Sequence, residues 1–146
     1  MQRLFFNDFV GGRVAFGLLL VRLVVGAAFM FHGWGKIQQP FGWMGENATT
    51  PGWLQALAAL SEFGGGAAWI LGLLTPLASF GIFCTMAVAV HFHMIIRGDP
   101  FVRQGAGGSY ELALVFLSVA TLLLLAGPGK LSLDALFFRK AGKPAK

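Results

Sequence analysis

The stretch from Leu54 to Ile96 constrains the fold of this chain more than any other feature of its sequence. It contains a single charged side chain, Glu62. One helix of about 43 residues would be about 65 Å long, roughly twice the thickness of the hydrocarbon core of a bilayer. The chain must therefore turn back, and Gly72 and Pro76 supply the residues that end a helix and ease a turn. This stretch predicts two membrane spans, near residues 54–74 and 77–96.

Two further apolar stretches have the length of a membrane span. The first covers residues 14–34 and has Arg22 as its one charged residue, and the last covers residues 110–126 before Gly127-Pro128-Gly129. Charged residues make up 12% of the 146-residue chain and apolar residues 56%. A soluble domain of this size could not bury so much apolar surface. The sequence therefore predicts an all-α fold, an integral membrane antiparallel four-helix bundle formed as one domain over residues 1–146.

Basic residues outside the spans predict the orientation in the membrane. The side of the two termini holds Arg3, Arg13, Lys130, Arg139, Lys140, Lys143 and Lys146, and the other side holds Lys36, Arg97 and Arg103. The positive-inside rule then places both termini in the cytoplasm. Apolar and basic residues mix in segment 130–146, which is typical of an interfacial helix followed by a basic tail. Such a tail faces anionic lipid, so we expect the lipid bilayer and not nucleic acid as its partner.

Ionisable residues of all four predicted spans fall toward the outer side of the membrane. If the spans end near residues 34, 54, 96 and 110, Glu62 lies roughly 12 Å and Arg22 roughly 18 Å below that boundary. A charge near the bilayer centre costs about 2.5–3.5 kcal/mol or more, so these groups should face each other or a cavity. The candidates for a ligand pocket are Arg22, His32, Lys36, Glu62, His91, His93 and Glu111.

Arg22 and Glu62 differ in predicted depth by about 6 Å, which a long arginine side chain can span. This predicts an Arg22–Glu62 ion pair, and two interpretations of it stay open: a purely structural pair and a part of the pocket. His91 and His93 would point about 200° apart on a helix and cannot both face one site. We therefore expect no metal site, although one of these histidines could meet His32 or Glu111. A single cysteine excludes an internal disulfide.

Three motifs resemble the DoxX family, in the order in which that family has them. They are HG-x-x-K at residues 32–36, E-x-x-x-G at residues 62–66 and GPG-x-x-SLD at residues 127–134. The resemblance extends from Val14 to Asp134 and implies a four-helix protein of a bacterial or archaeal cytoplasmic (inner) membrane. It also implies that the family's polar positions are Arg22, His32, Lys36, Glu62 and Glu111.

The functional expectation rests on this resemblance. Some family members are linked to quinone-dependent oxidation of thiosulfate, and others to membrane oxidoreductase complexes that handle thiols and oxidative stress. The resemblance thus implies a redox-linked subunit or partner of a quinone-dependent membrane oxidoreductase, with quinone or a small ligand in an outer-leaflet pocket. Its partner would be a larger membrane or periplasmic oxidoreductase, or a second copy of the chain.

One departure from the family keeps an alternative open. The chain lacks the sizeable extramembrane domain of the larger thiosulfate-enzyme subunits, and no residue is assigned a catalytic role. The alternative is a non-catalytic membrane scaffold or small-molecule carrier whose buried charges are structural.

Overall fold

The computed structural model describes residues 9–138, which form five α-helices. Helix α1 covers Gly12–Gln38, α2 covers Gly52–Leu71, α3 covers Thr75–His91, α4 covers Glu111–Ala126 and α5 covers Leu133–Phe138. A π-helical turn, Phe92–Ile96, extends α3. Of the basic residues used to predict the orientation, Arg3, Arg139, Lys140, Lys143 and Lys146 lie outside the described residues.

Three helical segments are long and apolar enough to cross a membrane. They are Gly12–Gln38, Gly52–Leu71 and Thr75–Ile96, and the apolar helix Glu111–Ala126 is shorter. Large apolar side chains such as Phe16, Val24 and Leu125 are exposed on the outer faces of these helices, as lipid contact requires. Residues 9–138 contain no strand. The predicted all-α membrane bundle is confirmed.

Each long helix packs against the next one along the chain, and α1 also meets α4. The rings of Phe29 in α1 and Phe116 in α4 lie 4.8 Å apart, and the Phe29 ring meets the Trp69 ring edge-on at 5.5 Å. Trp69 Nε1 donates a hydrogen bond of 3.0 Å to Ser79 Oγ, which ties α2 to α3. The buried apolar cluster of the bundle consists of Leu18, Phe29, Trp69, Ile82, Met86, Ala120 and Leu123.

Glycine fixes the register of α1 against α2. A β-carbon on Gly33 would lie 2.6 Å from the backbone nitrogen of Phe63, so only glycine allows this approach. Farther along the same interface Gly26 meets Gly66 and Ile70. This antiparallel register sets Lys36 level with Glu62.

The bundle therefore has two distinct ends. We call the end where α1 leads into α2 through residues 39–51 the loop end. The opposite end, formed by the α2–α3 turn at residues 72–74 and by residues 127–132, is the turn end. Arg22 lies against Gly72 at the turn end, whereas Glu62 lies toward the loop end.

The predicted depths of Arg22 and Glu62 are corrected by this register. The prediction assumed that the first two spans end level, near residues 34 and 54. In the structure α1 continues to Gln38, and the first turns of α2 project beyond Lys36. The helices are thus offset by about 12 Å from the assumed alignment. That offset removes Arg22 from the half of the bundle that holds Glu62.

Candidate functional site

Lys36 and Glu62 form a close ion pair between α1 and α2. Lys36 Nζ lies 2.6 Å from both carboxylate oxygens of Glu62. The Glu62 side chain is 5% exposed and the Lys36 side chain 26% exposed. The pair thus compensates a carboxylate inside the bundle, while about a quarter of the Lys36 side chain stays exposed.

One aromatic ring contacts this ion pair, and two others pack against each other across α1 and α2. The ring of Trp43, in the loop between α1 and α2, has its centroid 4.5 Å from Lys36 Nζ, a distance at which a cation and a ring attract each other. Nearby, the Trp34 and Phe63 rings lie 5.7 Å apart across α1 and α2. An ammonium donor beneath a flat aromatic surface is an arrangement that suits a small ring carrying a hydrogen-bond acceptor.

Gln55 in α2 holds the 39–51 loop in place. Its side chain is buried, its Oε1 accepts a hydrogen bond from the Met44 N–H, and its Nε2 donates one to the Thr50 carbonyl. Trp43 Nε1 donates to the Gln55 carbonyl at 2.9 Å. An open depression of about 420 Å³ lies between this loop and the start of α2. Gln55 was missed by the sequence analysis, because a neutral amide at a helix start gives no charge signal.

Arg22 forms a separate cluster at the turn end. Its Nε donates to the Trp69 carbonyl at 2.8 Å, and its Nη1 donates to the carbonyls of Pro128 at 2.8 Å and Leu131 at 2.9 Å. A fourth hydrogen bond of 3.3 Å reaches the Ile70 carbonyl from Nη2. Arg22 is 1% exposed. The predicted Arg22–Glu62 pair is therefore wrong: Glu62 pairs with Lys36, and Arg22 is held by main-chain oxygens.

Asp134 supplies the negative charge that accompanies Arg22. It is fully buried and attracts Arg22 electrostatically. Its carboxylate accepts hydrogen bonds from the N–H groups of Leu74 at 2.7 Å and Thr75 at 2.8 Å, at the start of α3. A carboxylate at a helix N-terminus satisfies free N–H groups and complements the helix dipole.

Asp134 was also missed as a site residue by the sequence analysis. The signal was present, because Asp134 closes the GPG-x-x-SLD motif. It follows the last apolar span, however, and lies in segment 130–146, which the sequence predicts to be an interfacial tail. In the structure α5 instead packs Asp134 and Ala135 into the turn end, while Leu136 and Phe137 stay exposed.

His93 takes part in a third polar cluster, in the loop after α3. Its Nδ1 donates to Asp99 Oδ2 at 2.7 Å, and Arg97 Nε lies 3.4 Å from the same oxygen. The hydrogen bond from His93 holds the pKa of Asp99 below its ordinary value, Arg97 and Arg103 add to this effect, and desolvation opposes it. This cluster fixes the loop that leads to α4, since Asp99 also donates its N–H to the His93 carbonyl.

The other predicted pocket residues lie at the loop end but on its surface. His32, His91 and Glu111 are exposed, and His32 touches the ring of Phe116, with centroids 6.0 Å apart. Within residues 9–138 the structure brings together Lys36 with Glu62 and His93 with Asp99, and does not gather the predicted set in one cavity. Groups of three or more metal-binding side chains are also absent from this part of the chain.

Comparison with known proteins shows the family to which the chain belongs. The model of the DoxX family matches residues 17–94, more than half of the chain. The chain belongs to the DoxX family. The match includes Arg22, Lys36 and Glu62, and ends before Asp134.

Two bacterial relatives are similar over most of their length. An uncharacterized protein of Haemophilus influenzae is 33% identical over 125 residues, which cover 84% of this chain and 92% of the relative. The inner membrane protein YqjF of Escherichia coli K12 is 33% identical over 131 residues, 85% of this chain and 94% of the relative. No solved structure matches the chain.

Proposed function

We propose that this DoxX protein binds a quinone, or a similarly small carbonyl compound, at the Lys36–Glu62 pair. The single observation that carries the proposal is the position of the Lys36 ammonium group, which is paired with Glu62 and faces the Trp43 ring on a side chain that is 26% exposed. In this role Lys36 donates a hydrogen bond to a ligand carbonyl, and Glu62 compensates the charge of the ammonium group. His32, His91, His93 and Glu111 lie at the same end and remain outer candidates.

We further propose that the protein acts as a redox-linked subunit or partner of a quinone-dependent oxidoreductase in a bacterial or archaeal inner membrane. The name of the Escherichia coli relative, an inner membrane protein, supports the inner membrane, and the family resemblance supports the redox link. The distribution of Lys and Arg supports cytoplasmic termini. A larger membrane or periplasmic oxidoreductase, or a second copy of the chain, is the proposed partner.

Binding of duroquinone to the purified full-length protein tests the ligand. Loss of a hydrogen bond from a charged donor costs about 1.5–3 kcal/mol, so Lys36→Met should weaken binding by about 10–150-fold. The matched control is Lys130→Met, at the turn end, which should bind like the parent. Equal affinities of the parent and Lys36→Met, or no saturable binding by the parent, would reject the proposal.

A second candidate function, a non-catalytic scaffold or carrier, is favoured by the Arg22 cluster. The four hydrogen bonds of Arg22 end on main-chain carbonyls, which is the arrangement of a structural group. Purification from native membranes separates the two candidates. A scaffold co-purifies with a larger enzyme without quinone, whereas a quinone-binding subunit retains quinone in a parent sample and loses it in Lys36→Met.

A further inference from the structure

The Lys36–Glu62 pair is covered in this structure by the 39–51 loop. We propose that Trp43 is a lid over this pair, that Gln55 holds the lid closed, and that a flat carbonyl compound binds by taking the place of the Trp43 ring. The identity of the ligand rests on the proposed function, whereas the lid itself does not.

The donors of Lys36 show why the lid must move for a ligand to bind. An ammonium group has three N–H donors. Two of them are satisfied by the two Glu62 oxygens, each 2.6 Å from Nζ. The third has the face of the Trp43 ring 4.5 Å away as its partner. A ligand carbonyl can accept that third hydrogen only when the ring has moved aside.

The loop is attached in a way that allows it to move as a unit. Successive turns, in which the N–H groups of Gly42, Gly45 and Ala48 donate to the carbonyls three residues earlier, give it internal structure. The hydrogen bonds from Trp43 Nε1, Met44 N and Gln55 Nε2 attach it to the first turn of α2. All three involve Gln55. Breaking these bonds opens the loop without removing any hydrogen bond inside α1 or α2.

The third N–H of Lys36 and the position of the Trp43 ring together predict which kind of ligand fits. The ligand must carry one acceptor oxygen for the third N–H of Lys36 and a flat ring that fits the space that the Trp43 side chain vacates. It needs no charge, because Glu62 already neutralises Lys36. A neutral quinone ring meets these requirements, and an anion is disfavoured by the nearby carboxylate.

Chemical labelling of Lys36 tests the lid in the full-length protein in detergent. The amine reagent sulfo-N-hydroxysuccinimide acetate is added, and acetylation of Lys36 is measured by peptide mass spectrometry relative to Lys130. We expect slow labelling of Lys36 in the parent. Trp43→Phe keeps a ring but loses the Nε1 donor, and Gln55→Leu loses both side-chain bonds to the loop. Each should label faster by about fivefold, the effect of one lost hydrogen bond or more.

Two controls and a ligand arm complete the experiment. Trp53→Ala removes an exposed tryptophan of the first turn of α2 and should leave Lys36 labelling unchanged. Unchanged Lys130 labelling and helical circular dichroism show that each variant is folded. Duroquinone, which has no free ring position for addition of an amine, should protect Lys36 in the parent and in both lid variants.

The outcomes test two separate claims: that Trp43 is a lid, and that the ligand is a quinone. If Lys36 labels as fast as Lys130 in the parent, or if neither Trp43→Phe nor Gln55→Leu accelerates labelling, the lid is wrong whether or not duroquinone binds. If both variants accelerate labelling but duroquinone never protects Lys36, the lid stands and the proposed quinone ligand is wrong. Acceleration in both variants together with protection supports both claims.

Discussion

At the scale of single residues, the two cations of α1 that face the bundle are stabilised in different ways. Arginine has five N–H donors in a planar fork, and Arg22 uses them to reach four main-chain carbonyls in two segments, the end of α2 and residues 127–132. Lysine is a compact point charge, and Lys36 places it between the two oxygens of one carboxylate. Arg22 therefore joins segments of the chain, whereas Lys36 pairs with one side chain at the loop end.

The first prediction concerns Arg22. Arg22→Met removes the four hydrogen bonds to main-chain carbonyls and leaves the buried Asp134 without its cation, which should lower the free energy of unfolding by about 3–5 kcal/mol. The matched control is Arg13→Met, which removes an exposed arginine of the same helix and should change stability by less than about 0.5 kcal/mol. Thermal unfolding in detergent, followed by circular dichroism, measures both. Equal stability of the two variants would show that the carbonyl cluster is not what stabilises the turn end.

At the scale of helices, hydropathy predicted the elements but not their register. An apolar run of about 20 residues specifies a span whatever its neighbours are, so the four long helices were predictable. The offset of α1 against α2 depends instead on which small residues meet, and Gly26, Gly33 and Gly66 gave no sign of their partners. Because the predicted offset was wrong by about 12 Å, Arg22 was the predicted partner of Glu62, whereas the observed partner is Lys36.

The second prediction tests this register with two glycines of α1. In Gly33→Ala the new β-carbon would overlap the backbone of Phe63, which should cost about 1–3 kcal/mol and loosen the contact between α1 and α2. Gly35 has open space around it, so Gly35→Ala should leave the protein unchanged or stabilise it by up to about 1 kcal/mol. Unfolding midpoints of both variants give the comparison. A Gly33→Ala protein as stable as Gly35→Ala would contradict the observed approach of the two helices.

At the scale of the whole molecule, the bundle separates a structural end from a candidate binding end. The turn end ties α1, the α2–α3 turn and α5 together through Arg22 and Asp134, and the loop end holds Lys36, Glu62 and Trp43. The sequence predicted the bundle and named Lys36 and Glu62 among its polar residues. It could not predict that they pair with each other, or that Asp134 is buried, because both facts follow from tertiary packing between distant segments.

A double-mutant cycle tests this separation most directly. The free energy of unfolding in detergent is measured for Lys36→Met, Arg22→Met and Glu62→Gln, and for each cation variant combined with Glu62→Gln. Residues in contact show coupling of about 0.5–3 kcal/mol, and distant residues are additive within about 0.5 kcal/mol. We predict coupling between Lys36 and Glu62 and additivity between Arg22 and Glu62. Coupling of Glu62 to Arg22, with additivity toward Lys36, would contradict the division of the bundle into two ends.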